Sequence, residues 1–263
     1  MKNEQKAVFF DIDGTLVDIK SVMPDSAREA VHAAQKNGVL CIINTGRPFR
    51  HVVPVIKKTG FDGYACSCGQ HLLFQGKTVF RHAASRELSA RIADAAARCR
   101  IDLFCESEEG VHVLFYKGER GYFTDEMERF RALGVPVHEN RGTDFFFDKF
   151  CILLYEDSLF AAFEETVCPY YTSTGAEGRL KEYVLNGHTK KNAVETFCAL
   201  CGIAPENTYA IGDSVNDLPM FAAAAHTAAM RESDTELLEK AEYITAGVHD
   251  GGIEKALQHW GLI

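Results

Sequence analysis

The chain has 263 residues, 28 basic and 37 acidic, for a formal charge of -9. That length suffices for one large domain or two moderate ones with a full core. The acidic balance gives no support to nonspecific binding of nucleic acid or of an acidic membrane, yet leaves a phosphorylated substrate open, because a few local cations decide a small pocket.

The opening MKNEQK leads directly into an apolar strand with no apolar signal segment, and no later run is long or apolar enough to span a membrane. The cytoplasm is the expected location. Nine cysteines, an odd and scattered number, suit reduced thiols better than a disulfide framework. Cys66 with Cys68, and Cys198 with Cys201, would have to meet in space to hold a structural zinc ion.

Ala7 to Phe10 reads as a short buried strand, and Asp11 and Asp13 follow two positions apart. In an extended chain such positions face one side. Gly14 suits a tight turn where the strand releases the chain, and Thr15 adds a hydroxyl and a backbone donor. Converging carboxylates repel unless a cation, a shared proton or a wet surface separates them. A hard ion such as magnesium meets that need; an ordinary charged strand end is the plainer alternative.

Pro24 opens a helix whose apolar stripe is Ala27, Ala30, Val31 and Ala34, stopped at Asn37-Gly38. Val39 to Ile43 is an apolar strand closed by Asn44, Thr45 and Gly46. Strand, helix and strand in this order suit a parallel sheet covered by helices. A second helix is expected over 48–58, then a strand over 63–67 and a hairpin over 70–80 turning near Gly76-Lys77.

From about Ala83 the pattern changes. Helices over 85–98, 124–133 and 158–167 are interleaved with strands over 101–105, 111–116, 150–155, 170–173 and 178–184. Antiparallel strands with two covering helices make a compact α+β insert. Alternation then resumes: a helix over 190–200, a strand over 208–211, helices over 218–225 and 233–240, strands over 227–230 and 243–244, and a closing helix over 253–260. The first and last thirds therefore read as one domain.

Four polar clusters punctuate these elements. Thr45-Gly46-Arg47 combines a hydroxyl, a glycine admitting close backbone approach and a guanidinium, a set that suits an anionic oxygen cluster. Lys190 opens a helix, where the macrodipole disfavours a cation, so a local anionic partner is attractive. Gly212-Asp213-Ser214-Val215-Asn216-Asp217 adds carboxylates and neutral polar atoms at another strand end. Asp217 there is open to three roles: a ligand, an orienting group acting through water, or a cap for the next helix.

In order and spacing these clusters resemble the haloacid dehalogenase-like superfamily of hydrolases, and within it the Cof-like phosphatase group with its many sugar-phosphate phosphatases. Asp11-Ile12-Asp13-Gly14-Thr15 resembles the first motif, Thr45-Gly46-Arg47 the second, Lys190 the third and Gly212 to Asp217 the fourth. Asp250-Gly251-Gly252-Ile253 is similar to a late Asp-Gly-Val segment. The resemblance implies an α/β fold: a Rossmann-like parallel-sheet core, residues 1–82 and 184–263, with an inserted α+β cap, residues 83–183, that sets substrate specificity.

By the same resemblance the protein is a magnesium-dependent phosphoric monoester hydrolase acting on a small phosphorylated metabolite, a sugar phosphate or a phosphorylated cofactor. Asp11 is the implied nucleophile and Asp13 the general acid and base. Mg2+ falls to Asp11, Asp13 through its carbonyl, Asp213 and Asp217, and substrate phosphate or its surroundings to Thr45, Gly46, Arg47, Lys190 and Asn216. A phosphomutase or a noncatalytic metal-dependent phosphate-binding protein is the alternative, and a phosphorylated receiver fits the large insert poorly.

Two stretches depart from the group: Cys68-Gly69-Gln70 stands where Asn-Gly-Ala is common, and Arg231-Glu232-Ser233 where Gly-Asn-Ala is common. In the insert, His112, Tyr116, His138, Arg141, Arg179, Lys181 and Tyr183 are candidate substrate contacts. Each also has an ordinary reading as surface, strand packing or domain contact, as does His188 beside the third motif. Phe145-Phe146-Phe147 could cover an apolar leaving group or build the insert's own core.

Overall fold

The computed structural model describes residues 5–117, 121–139, 145–174 and 178–263. The chain forms two compact units: one comprises residues up to Gly46, Val52–Arg81 and Thr189–Ile263, and the other Arg47–His51 and His82–His188. The expected insert of 83–183 is therefore a few residues short at its far end, where the last strand of the second unit runs on to Leu185. It also omits the five-residue segment after Gly46.

The first unit opens with β1 (Ala7–Phe10), buried along its whole length. In α1 (Asp25–Lys36) the buried residues are Ala27, Ala30, Val31 and Ala34, the stripe that helical spacing predicts. β2 (Leu40–Asn44) follows. The helix expected over 48–58 is broken into a 3-10 turn at Phe49–His51 and α2 (Pro54–Thr59). Pro54 explains the break: it has no N–H to give a preceding turn and holds Val53 extended, but it is well suited to start a helix. β3 (Gly63–Cys66), β4 (His71–Phe74) and β5 (Lys77–Arg81) complete this half, the last two joined through Gln75 and Gly76.

The second unit contains α3 (Arg86–Arg98), β6 (Asp102–Ser107), β7 (Gly110–Leu114), α4 (Tyr122–Ala132), β8 (Val137–Glu139), β9 (Lys149–Leu153), α5 (Phe160–Val167), β10 (Tyr171–Ser173) and β11 (Leu180–Leu185). Its sheet runs β10-β11-β9-β6-β7-β8, antiparallel except for β7 with β8. Ser85 caps α3 by accepting a hydrogen bond from the Leu88 amide.

Strand alternation sorts this sheet into two faces. Cys105, Phe150 and Tyr183 lie abreast and pack with Ile92, Ala96 and Phe163 of α3 and α5. Phe104, Val111 and Val113 pack with Phe123, Met127 and Phe130 of α4. Helices thus pack on both faces, three in place of the expected pair. β8 escaped the sequence because it has three residues, none fully buried, and Val137 alone among them is apolar, too short a run to show strand alternation.

Beside that second core lies a buried charge network. Glu106 accepts from or pairs with His51 at 3.0 Å and with Lys149 at 3.4 Å, and Lys149 meets Glu182 at 2.5 Å. Glu108 accepts from the Phe49 and Arg50 amides at 2.8 and 3.0 Å. Burial acts to raise the Glu106 pKa, but Lys149, His51 and Arg47 outweigh it and hold the carboxyl at about 2. A depressed carboxylate pKa stabilises the folded form above the ordinary value of 4.5 and loses that contribution as pH falls toward 2. Acid titration followed by near-ultraviolet circular dichroism is expected to show wild type losing stability in that window, and Glu106→Gln losing about 3 kcal/mol less of it.

The chain then returns to the first unit with α6 (Lys190–Cys201), β12 (Thr208–Gly212), α7 (Leu218–Phe221), β13 (His226–Ala229), α8 (Thr235–Leu238), β14 (Tyr243–Ile244) and α9 (Gly252–His259). The helices expected over 218–225 and 233–240 are both shorter, because the chain must return to the sheet at β13 and β14 and tertiary context overrides propensity. The sheet order is β14-β13-β12-β1-β2-β3-β4-β5, parallel as far as β3 and closed by the antiparallel hairpin.

Ala7, Phe9 and Ile42 share one core with Ala193, Val194 and Phe197 of α6, while Val8 and Phe10 are buried on the opposite face. A strand buried on both faces reads as an unbroken apolar run, which is why β1 was legible. No helix among the described residues is long and apolar enough to cross a membrane.

Candidate active site

The first unit gathers its polar groups where three neighbouring parallel strands, β12, β1 and β2, end together. The chain leaves β1 toward β2 on one side and later returns as β12 on the other, so this is the crevice in which open α/β sheets bind ligands. The Asp11 amide donates to the Ile211 carbonyl at 3.0 Å, extending the β1–β12 ladder one residue beyond β1 and fixing the carboxylate's base.

Lys190 is the centre of the arrangement. It is the first residue of α6, which Thr189 caps by accepting from the Asn192 amide. Its ammonium donates to Asp11 Oδ1 at 2.6 Å, Asp217 Oδ1 at 2.6 Å and Asn216 Oδ1 at 2.9 Å. These acceptors use all three ammonium protons. Burial disfavours the charge, but Asp11 and Asp217 outweigh it and hold the Lys190 pKa above its usual range.

Asp217 is fully buried. Besides serving Lys190 through one oxygen, it accepts through the other from the Asp213 and Ser214 amides, at 3.0 and 3.3 Å. Asp213 accepts from the Thr15 hydroxyl at 3.1 Å. Two glycines make room for these carboxylates: a Cβ at Gly14 would overlap the Asp213 carboxylate, and one at Gly212 would overlap that of Asp217. Gly14 also needs the positive φ of 77° that its turn adopts. Gly212 needs space alone, a different reason from the freedom to turn that its place at a strand end suggests.

Burial, Asp217, Asp213 and Asp13 push the Asp11 pKa up, against the pull of Lys190. Burial and Asp217 push Asp213 up as well. Asp11, Asp213 and Asp217 offer ligand atoms all within 4.8 Å of one another. Hard oxygen donors whose negative charge is poorly compensated fit a hard divalent cation. The cysteines are all free thiols, and among the described residues the cluster able to hold a metal is this aspartate trio.

The other expected residues are placed as follows. Asp13 is exposed, near enough to act on Asp11. Thr45 is buried at the end of β2, its amide bonded to the Ala65 carbonyl at 2.9 Å, and Gly46 follows it half-buried. Arg47 belongs to the second unit, buried, with Nη1 donating to the His51 carbonyl at 3.1 Å.

In the departing loop, Ser67 and Cys68 have φ of 49° and 53°, and the Cys68 amide donates to the Thr45 carbonyl at 3.1 Å. Arg231 pairs with Glu232 at 2.7 Å and Asp250 at 2.5 Å.

In the second unit, His112 stacks on both His138 and Phe145. Tyr116 donates to Asp157, Arg179 to the Leu154 carbonyl and Tyr183 to Glu164, while Lys181 lies over the Phe160 ring. Phe145 and Phe147 are in the unit's own core. His188 meets His82 at 2.6 Å. Arg141 lies outside the described residues.

The sequence model of the haloacid dehalogenase-like hydrolases matches residues 8–257, from within β1 to within α9. The chain belongs to that family. Among curated relatives, the 5-amino-6-(5-phospho-D-ribitylamino)uracil phosphatase YwtE of Bacillus subtilis (strain 168) is 24% identical over 280 residues, covering 94% of this chain and 95% of its own. A hypothetical protein from Geobacillus kaustophilus HTA426 has the same fold, with a TM-score of 0.83 at 23% identity over 98% of this chain and 100% of its own. So does the HAD subclass IIB sugar phosphatase BT4131, with a TM-score of 0.79 at 24% identity and the same coverage. As a haloacid dehalogenase-like hydrolase with phosphatases for relatives, the protein is an enzyme of the phosphatase class.

Two contributors are not evident in the sequence. Thr15 offers a hydroxyl whose partner only the fold brings near, and Asn44 reads simply as the end of its strand. Its one signal is its place two residues beyond Ile42, on the face that packs α6.

Proposed function

We propose that the enzyme is a magnesium-dependent phosphatase that hydrolyses small phosphorylated metabolites, sugar phosphates among them, through a phosphoryl group carried on Asp11. The observation that carries this reading is the buried Asp11–Lys190–Asp217 chain of hydrogen bonds beside Asp213, at the ends of β1 and β12.

Asp11 is held by Lys190 through Oδ1, which leaves its second oxygen as the attacking atom. Attack on phosphorus forms the bond from Asp11 to phosphorus and breaks the bond to the leaving oxygen. Asp13 protonates that oxygen as it departs, then takes the proton from the water that releases phosphate, so one difficult displacement becomes two easier ones. Lys190 stabilises charge on the phosphoryl group, with Thr45 and the Gly46 amide as neutral donors. Asn216 and Asp217 orient Lys190.

Magnesium would be held by Asp11, Asp213 and the Asp13 carbonyl, with Asp217 adjoining, and when bound supplies charge neutralisation between carboxylate and phosphate. The relatives' names extend the substrate class toward polyhydroxylated phosphates, a phosphorylated ribitylaminouracil and a sugar phosphate.

Phosphate release from a panel of sugar phosphates, phosphorylated cofactors and nucleotides is the test. Release from some members, abolished by a chelator and restored by magnesium, is the expected result. Undiminished release in the chelator would contradict the metal, and transfer of phosphate to a second hydroxyl without net release would contradict hydrolysis.

A further inference from the structure

We infer that Asn44 is a positioning residue, whose side-chain amide ties the first carbonyl of α6 to the end of β2 and thereby sets Lys190 against Asp11. The inference rests on the reading of Asp11 as nucleophile and Lys190 as its charge partner.

Asn44 Nδ2 donates to the Lys190 carbonyl at 2.8 Å, across 146 residues of sequence. Asn44 is fully buried, on the face of β2 that also carries Ile42, in the core shared with Ala193, Val194 and Phe197. β2 lies beside β1, with Ile43 opposite Phe10, so Asn44 comes abreast of Asp11. One residue of α6 is thus fastened to two neighbouring strand ends: its backbone to β2 through Asn44, and its ammonium to β1 through Asp11.

The side chain is a poor choice for stability alone. Its Oδ1 is buried with no hydrogen-bond partner among the described residues, and an orphaned buried carbonyl costs free energy that an aliphatic side chain in this core would avoid. What the amide supplies in return is the single bond to Lys190. Lys190 acts on charge that develops during transfer, so misplacing it lowers kcat and leaves KM alone.

A double-mutant cycle tests this, with p-nitrophenyl phosphate as probe and magnesium in excess. Asn44→Ala is expected to lower kcat about tenfold with KM unchanged and the thermal midpoint retained. Asn44→Asp, whose carboxylate cannot donate, is expected to do no better. In a Lys190→Arg background the same Asn44→Ala change costs less than about twofold, because it acts only through residue 190. If Lys190→Arg has no measurable rate, the cycle is read in the affinity for orthovanadate.

Wild-type kcat in Asn44→Ala overturns the inference. So do penalties that multiply in the double variant, or a loss of activity that only tracks a loss of folded protein. Failure of the underlying reading shows separately, as full turnover by Asp11→Asn whatever Asn44→Ala does.

Discussion

Asp11→Asn is expected to lose turnover on the order of a thousandfold or more while remaining folded. An amide of the same shape keeps an oxygen to accept from Lys190 but is no nucleophile. The fold has little reason to suffer. Asp11 is buried among carboxylates that push its pKa up, so at neutral pH its ionised form works against folding. Removing that charge leaves Lys190 with Asp217 as a counter-ion. Initial rates together with thermal unfolding check both halves: a dead enzyme whose midpoint is equal to or above that of wild type. An active variant would end the assignment of Asp11, and an unfolded one would show that the carboxylate's bond to Lys190 outweighs its burial.

Lys190→Ala is expected to fail in both respects. Its ammonium is buried and bonded to two buried carboxylates, 2.6 Å from each. Deleting it leaves Asp11 and Asp217 facing one another without a cation, and breaking a buried pair in this way costs about 3 to 5 kcal/mol. Turnover is expected to fall about a hundredfold or more, because the fixed charge nearest the nucleophile is gone. Urea unfolding and rates on the same preparations measure the two effects. Saturating magnesium is expected to restore part of the stability, since a divalent ion in the aspartate trio would replace the missing positive charge. Wild-type stability and rate would contradict the central place given to Lys190.

Local pattern carried most of the first unit. β1 was legible as an apolar run ending in two aspartates, and the stripe of α1 gave the faces of that helix. Lys190 stood out because a cation opens a helix. What the sequence could not supply was partnership across distance. Asp217 had three open roles and proves to be fully buried, with its oxygens shared between Lys190 and two backbone amides, one bond spanning 27 residues. Asn44 reaches across 146 residues, and Thr15 meets Asp213 across 198.

Gly212 is a similar case, since the group that fills the space where its side chain would be becomes visible only once the loop has closed. In the second unit the sequence suggested antiparallel strands and covering helices. It did not suggest that residues 47–51 would join them, because the anchors are Glu106 and Glu108, far along the chain.

The measurement that bears most directly on the central claim is rapid acid quench of wild-type enzyme during turnover, followed by mass spectrometry of the peptide carrying Asp11. One phosphoryl group on Asp11 is expected, absent without substrate and lost on chase. Steady phosphate release with Asp11 unmodified at every quench time, or a phosphoryl group carried by another residue, would contradict it.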